Sequence, residues 1–230
     1  MLGDEAYYSS RAEQIRALLE DHTQGWRPFL AQRHGERLAE LLLSECRGEM
    51  ERLIPSLPYI GGNRNPMTRH LLRSTTSLVL HRVMLRHGRS AEETGWVLYH
   101  AVAERISHLP AIPFDGLSDE ERSVKRHEAQ QSQARRYPGD WVWEFVEADD
   151  GSFGYDFFEC GTQKLYQAQG TEDVLPFYCY LDLVTHRLAG WRLLRTMTLS
   201  QGCDRCDFRF RRGRHTPATW PPPFLGEQRE

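Results

Sequence analysis

Two short stretches hold residue types that do covalent and proton-transfer chemistry: "DFFECG", residues 156–161, and "GCDRCDFRF", residues 202–210. Each sets a cysteine beside a carboxylate, Glu159 with Cys160 and Cys206 with Asp207. Cys203 and Cys206 also have C-x-x-C spacing, which suits half of a zinc site or a redox dithiol. A structural zinc needs four ligands, and no second paired motif follows, so Cys160 and Cys179 would have to be recruited singly. A redox C-x-x-C normally opens a helix, whereas this one enters a segment patterned as a strand. Two readings remain beside these: a thiol nucleophile served by a nearby acid or base, and cysteine as a small hydrophobe in the core. Strand side chains alternate between faces, so Cys206 should point with Phe208 and Phe210, and Asp207 with Arg209. If the two segments are neighbouring strands, Cys160 and Phe158 join the first face and Glu159 the second.

A second grouping lies on a helical segment, where Cys179, Asp182 and His186 stand at i, i+3 and i+7, hence on one face. An i, i+4 aspartate and histidine pair of this kind is more often a surface or capping contact than a catalytic dyad. The other histidines lack metal-ligand spacing. There is no G-x-S-x-G elbow, and "YIGGNRN" has neither the P-loop lysine nor the dinucleotide fingerprint.

The elements that must position these residues follow from periodicity. Ile15, Leu18 and Leu19 predict a helix over about 9–22, and Leu38, Leu41, Leu42, Met50 and Leu53 a second over 35–53, stopped by Pro55 and Pro58. "PYIGGNRNP", 58–66, is turn chemistry. A third helix spans about 67–87. Ser90 with Glu93, and Ser118 with Glu121, are capping boxes that open a fourth helix to about 108 and a fifth, strongly polar one. At "YPGDW" the period changes to two, and Trp141 to Gly161 reads as a hairpin turning at Asp149–Gly151. Residues 171–190 return to helix, and "WRLLRTMTL" with "CDFRF" form a second hairpin. The expectation is an α+β protein, with N-terminal helices packed on one face of a small antiparallel sheet built from two C-terminal hairpins. It forms a single domain over 1–211, helical through 137 and sheet from 138, followed by an extended, partly disordered Pro-rich tail at 212–230.

Composition narrows the function classes. With 40% hydrophobic residues the chain can build a packed core. A net charge of −3 gives no general attraction to nucleic acid or anionic lipid, so neither is expected as a partner. The basic run Arg209, Arg211, Arg212 and Arg214 reads as a solvated strand end. No apolar stretch reaches membrane-spanning length, and the acidic first residues are unlike a signal peptide, so the expected location is cytoplasmic. In that reducing compartment the five cysteines are expected as thiols. A small-molecule substrate is the expected partner, and a homo-oligomer is compatible with the sequence.

"PYIGGN", "WVWEFVEADDGSFGYDFFECGTQKLY", "FYCYLDLV" and "RTMTLSQGCDRCDFRF" occur in an order and spacing that resemble the L-2-amino-thiazoline-4-carboxylic acid hydrolase family, from about Pro58 to Phe210. The resemblance implies a cytoplasmic α+β hydrolase, without metal or cofactor, that opens a cyclic amidine to a carbamoyl amino acid. Members at this level of likeness also serve specialised metabolism. Carried over motif by motif, it implies Cys160 and Cys206 as site residues, with Glu159, Asp207 and Arg209 shaping or lining the site and Asn63 and Asp182 at further motif positions that would meet the substrate. A thiolate of Cys160 would attack the amidine carbon while Cys206, Glu159 or Asp207 manages protons. Arg209 or Arg195 would clamp the substrate carboxylate. Water activated by Asp207 or Glu159 is the competing route. A lyase or cyclase using the same groups, or a non-catalytic binding module with core cysteines, are the other classes to weigh.

Overall fold

The computed structural model describes residues 6–215 and 218–226. The acidic first five residues therefore lie outside the described part, as do four at the C-terminus and two within the tail. Helix α1, Ala12–His34, turns Ile15, Leu19, Trp26 and Leu30 inward. That stripe carries it past the expected end near His22 and through Pro28, to a stop at Gly35, whose φ of +82° suits glycine. α2, Glu36–Leu53, lies antiparallel to it.

α3, Thr68–Arg86, is the central helix, packed by α1, α2 and by the later helices α4 and α6. Its buried Ser74, Thr75 and Thr76 hydroxyls donate to carbonyls one turn back, which satisfies them in the core. α4, Ala91–Ser107, and α5, Asp119–Ser132, both start at the expected capping boxes. In each the serine hydroxyl accepts from the glutamate N–H and the glutamate accepts from the serine N–H.

The sheet comprises β1, Val142–Glu147; β2, Phe153–Glu159; β3, Trp191–Leu194; and β4, Cys206–Arg212. It is antiparallel throughout, in the order β1-β2-β4-β3. The two hairpins meet through β2 and β4, where Phe157 lies opposite Cys206 and Tyr155 opposite Phe208. One face carries Trp143, Phe145, Phe153, Tyr155, Phe157, Phe208 and Phe210, with rings stacked across strands at centroid distances such as 4.9 Å for Phe153 and Phe210. The other face carries Asp156, Phe158, Asp207 and Arg209.

Between the hairpins the chain forms α6, Gly161–Ala168, and α7, Leu175–Thr185. α6 was not expected from the sequence. Its start follows the strand without a gap, and at eight residues its periodic signal is short. α7 packs on α4, and the tail is docked onto the same pair of helices. Trp220 stacks near Phe177 and Tyr99, while the Tyr180 hydroxyl donates to the Thr219 carbonyl at 2.8 Å. The expected disordered tail is therefore, in its described residues, an ordered strap.

Candidate active site

β2 ends at Glu159, and Cys160 is the residue that turns the chain into α6. Its backbone is still extended, with φ −121° and ψ 118°, so its side chain sits at the helix N-terminus. The N–H groups of Thr162 and Gln163 and the Trp141 indole N–H all face the sulfur and favour its thiolate, although neither backbone N–H closes into a capping hydrogen bond. Burial outweighs them and pushes the Cys160 thiol above its ordinary value. The residue nevertheless keeps some accessible surface. Cys160 is thus a closely surrounded residue at the edge of the core, packed against it and not sealed inside it.

Gly161 makes this corner possible. A side-chain carbon there would come within 2.5 Å of the Trp141 ring and 2.6 Å of the Gly139 carbonyl. The glycine thus lets the indole lie flat against the helix start, beside the thiol.

α7 supplies the facing wall. Tyr178, Cys179 and Asp182 are near enough to Cys160 to perturb one another's ionisation, and all three are raised chiefly by burial. Asp182 accepts from Arg195 Nη1 at 2.7 Å. The Arg195 side chain is 5% exposed while that of Asp182 is 47% exposed, so the carboxylate is the accessible partner. Arg195 also lies over the Phe208 ring, 5.2 Å from its centroid. Cys206 closes the floor: it is buried, accepts the Leu199 N–H at 3.2 Å, and its thiol is pushed up to about 11 by burial. The Ser200 hydroxyl faces Cys179.

The structure therefore brings together Cys160, Cys206, Asp182 and Arg195, with Tyr178, Cys179 and Trp141 added. It places the remaining expected residues elsewhere. Glu159 is held on the outside by Arg135 at 2.7 Å and Lys164 at 2.5 Å. Asp207 accepts from the N–H groups of Thr196 and Met197 and from the Thr196 hydroxyl, at 2.6 to 2.8 Å. That capture ends β3 at Leu194, short of the long strand expected through Leu199, and fixes the segment that follows Arg195. Arg209 lies across Gly154 on the polar sheet face and pairs with Asp156 at 2.7 Å. Asn63 accepts the Tyr7 hydroxyl at 2.6 Å and lines a separate cavity in front of Trp141.

Two expectations about orientation need correction. Phe157, not Phe158, shares the Cys206 face, because the β2–β4 register is displaced by one residue from the assumed one. Phe158 is 37% exposed. Cys160 reaches Cys206 because the chain has already left the sheet, which removes the alternation argument at that position. His186 lies beyond α7, with its ring Nε2 at 3.0 Å from the Trp191 carbonyl, so it forms no pair with Asp182. Cys203 sits in the turn before β4, where its N–H closes onto the Thr198 carbonyl.

No helix among the described residues is long and apolar enough to cross a membrane. Comparison with curated proteins and with solved structures gives no match. The family model for L-2-amino-thiazoline-4-carboxylic acid hydrolase matches residues 82–210, which include β1 to β3, β4 as far as Phe210, α6, α7 and every residue of the cysteine cluster. With more than half of its length covered by that match, the chain belongs to the L-2-amino-thiazoline-4-carboxylic acid hydrolase family.

Proposed function

We propose that the protein hydrolyses a cyclic amidine bearing a carboxylate, a thiazoline-like amino-acid derivative, with Cys160 as nucleophile. The observation that carries this reading is a partly exposed cysteine at the N-terminus of α6, close to the Asp182–Arg195 ion pair. Such a substrate carries a carboxylate and an amidine that becomes a cation when it takes up a proton in the site. Its amidinium suits Asp182 and its carboxylate suits Arg195, so one ion pair is exchanged for two. Asp182 is held above its ordinary value by burial, and a cation formed beside it favours its charged form.

The reaction then follows from proton bookkeeping. The raised Cys160 thiol gives its proton to the ring nitrogen of the neutral amidine, which makes the thiolate and the electrophilic amidinium together. Sulfur attacks the amidine carbon, and the bond from that carbon to the ring sulfur breaks, leaving an enzyme isothiourea and a substrate thiol. Water adds to the same carbon, the Cys160 thiolate departs with the return of its proton, and a carbamoyl amino acid is released. The N–H groups at the start of α6 stabilise negative charge on the attacking and departing sulfur. Asp207 serves by fixing the segment that carries Arg195, and Glu159 by anchoring α6 through Lys164.

Turnover of 2-aminothiazoline-4-carboxylate, followed by the new thiol it releases, tests the reading. Cys160→Ser is expected to lose activity roughly a thousandfold or more with unchanged circular dichroism. Near-native turnover by that variant overturns the covalent route. Parallel loss in Asp207→Asn or Glu159→Gln with a normal Cys160→Ser enzyme would favour activated water.

A further inference from the structure

A cavity of about 1120 Å3 lies between the 59–67 loop, α5 and residues 134–143. Pockets for drug-sized ligands span roughly 300–1,000 Å3, so this one is larger than a single thiazoline ring requires. Its walls are aromatic: Tyr59 meets Tyr7 and Tyr137 edge-on, each at 5.3 Å, and Trp141 and Trp143 face the same space. Two carboxylates also line it, and both are engaged. Asp140 accepts from Asn65 Nδ2 at 2.6 Å and from the Trp141 N–H at 2.8 Å. Glu128 is paired with Lys125 at 2.8 Å.

The positive groups are not balanced in the same way. Arg64 and Arg136 line the cavity, are exposed, and form no ion pair with any described residue. Arg135 beside them has φ +46°, the one non-glycine residue among the described ones with a positive φ. Backbone strain of that kind persists where surrounding structure holds it, and it gathers at ligand sites. We propose that this cavity is a binding site for a planar aromatic carboxylate. Guanidinium groups take the carboxylate, and the tyrosine and tryptophan rings take the flat face.

The site backs onto the thiol through Trp141, but binding requires no chemistry at Cys160. Titration calorimetry of the full chain with 1-naphthoate tests it directly. One-to-one saturable binding is expected for both the native protein and Cys160→Ser. Affinity is expected to fall about tenfold or more in the Arg64→Ala, Arg136→Ala double variant, and again in Tyr59→Leu. Cyclohexanecarboxylate, with the charge but no aromatic ring, and 1-naphthylmethylamine, with the aromatic ring but the opposite charge, should both fail to compete. Absence of saturable binding, equal binding of the amine, or unchanged affinity in the double arginine variant with intact circular dichroism would overturn the proposal. A native enzyme that fails to turn over the thiazoline would sink the hydrolase reading, and a Cys160→Ser enzyme that still turns over would sink the covalent route, while either leaves the naphthoate result as it stands.

Discussion

At the scale of single residues, the three clustered cysteines are distinguished by access rather than by type. All have thiols raised by burial, yet Cys160 and Cys179 keep accessible surface while Cys206 is 7% exposed. Iodoacetamide reacts with the thiolate, so labelling of Cys160 should be slow at pH 7 and rise with pH to a midpoint above the ordinary thiol value of 9.0. Mass mapping of the alkylated peptides across pH 7 to 10 checks this, and fast labelling at pH 7 would contradict it. Asp182 makes a second prediction. Removing its charge in Asp182→Asn leaves the amidinium without its partner, and kcat/KM should fall by about a hundredfold, since a hydrogen bond to a charged group contributes about 1.5–3 kcal/mol. Steady-state kinetics on the thiazoline substrate reads this, and an unchanged kcat/KM removes Asp182 from the binding site.

At the scale of elements, the junction between β2 and α6 is the part with least room to change. Gly161→Ala must displace the Trp141 ring or the Gly139 carbonyl, so it should destabilise the fold by about 1–3 kcal/mol. The denaturation midpoint and the tryptophan emission maximum should shift together in that variant. The segment after β3 is held by a side chain rather than a ladder. Asp207→Ala should therefore loosen residues 196–197, visible as faster amide exchange there, and raise KM through Arg195. Much of this architecture was legible in the sequence. Capping boxes at Ser90 and Ser118, the hairpin turn at Asp149–Gly151, and the opposed faces of Cys206 and Asp207 all depend on local spacing, and all are present. What could not be read depended on contacts between distant segments. α6 has only two turns of periodic signal, the β2–β4 register is set across the intervening residues 160–205, and Asp182 finds Arg195 rather than His186 because α7 ends first. Within "YPGDW", Asp140 carried only a turn signal and Trp141 only a strand one.

At the scale of the whole molecule, buried polar groups set the response to acid. His22, His34, His70, His81, His186 and His215 all have pKa values lowered, mainly by burial, below the ordinary 6.5. The unfolded chain binds protons at these sites near pH 6.5 and the folded chain does not, so stability is complete above that value and declines as the pH falls. For His22 the decline runs from 6.5 to about 4. Urea midpoints measured from pH 7.5 to 4 should fall steadily, and His22→Gln should flatten the slope; a flat profile in the native protein would contradict the assignment. Glu49, buried on α2 and held by Arg52, Arg82 and Arg86 at 2.6 to 2.9 Å, joins α2 to the central helix α3. Those arginines reach solvent, so Glu49→Gln should cost about 2–3 kcal/mol, less than loss of a fully enclosed pair.

The placement of α6 and α7 between the hairpins also bears on the order in which the chain folds. Each hairpin closes locally, but the central β2–β4 pair must wait for the two intervening helices to dock, since it joins residues far apart in sequence. Cys160 arrives from the first hairpin, Asp182 from the inserted helices and Arg195 from the second hairpin, so no part of the chain holds the assembled cluster until the sheet is complete. Pulse alkylation of Cys160 during refolding would thus time the final assembly step, and recovery of hydrolysis should follow the loss of that reactivity with one rate constant.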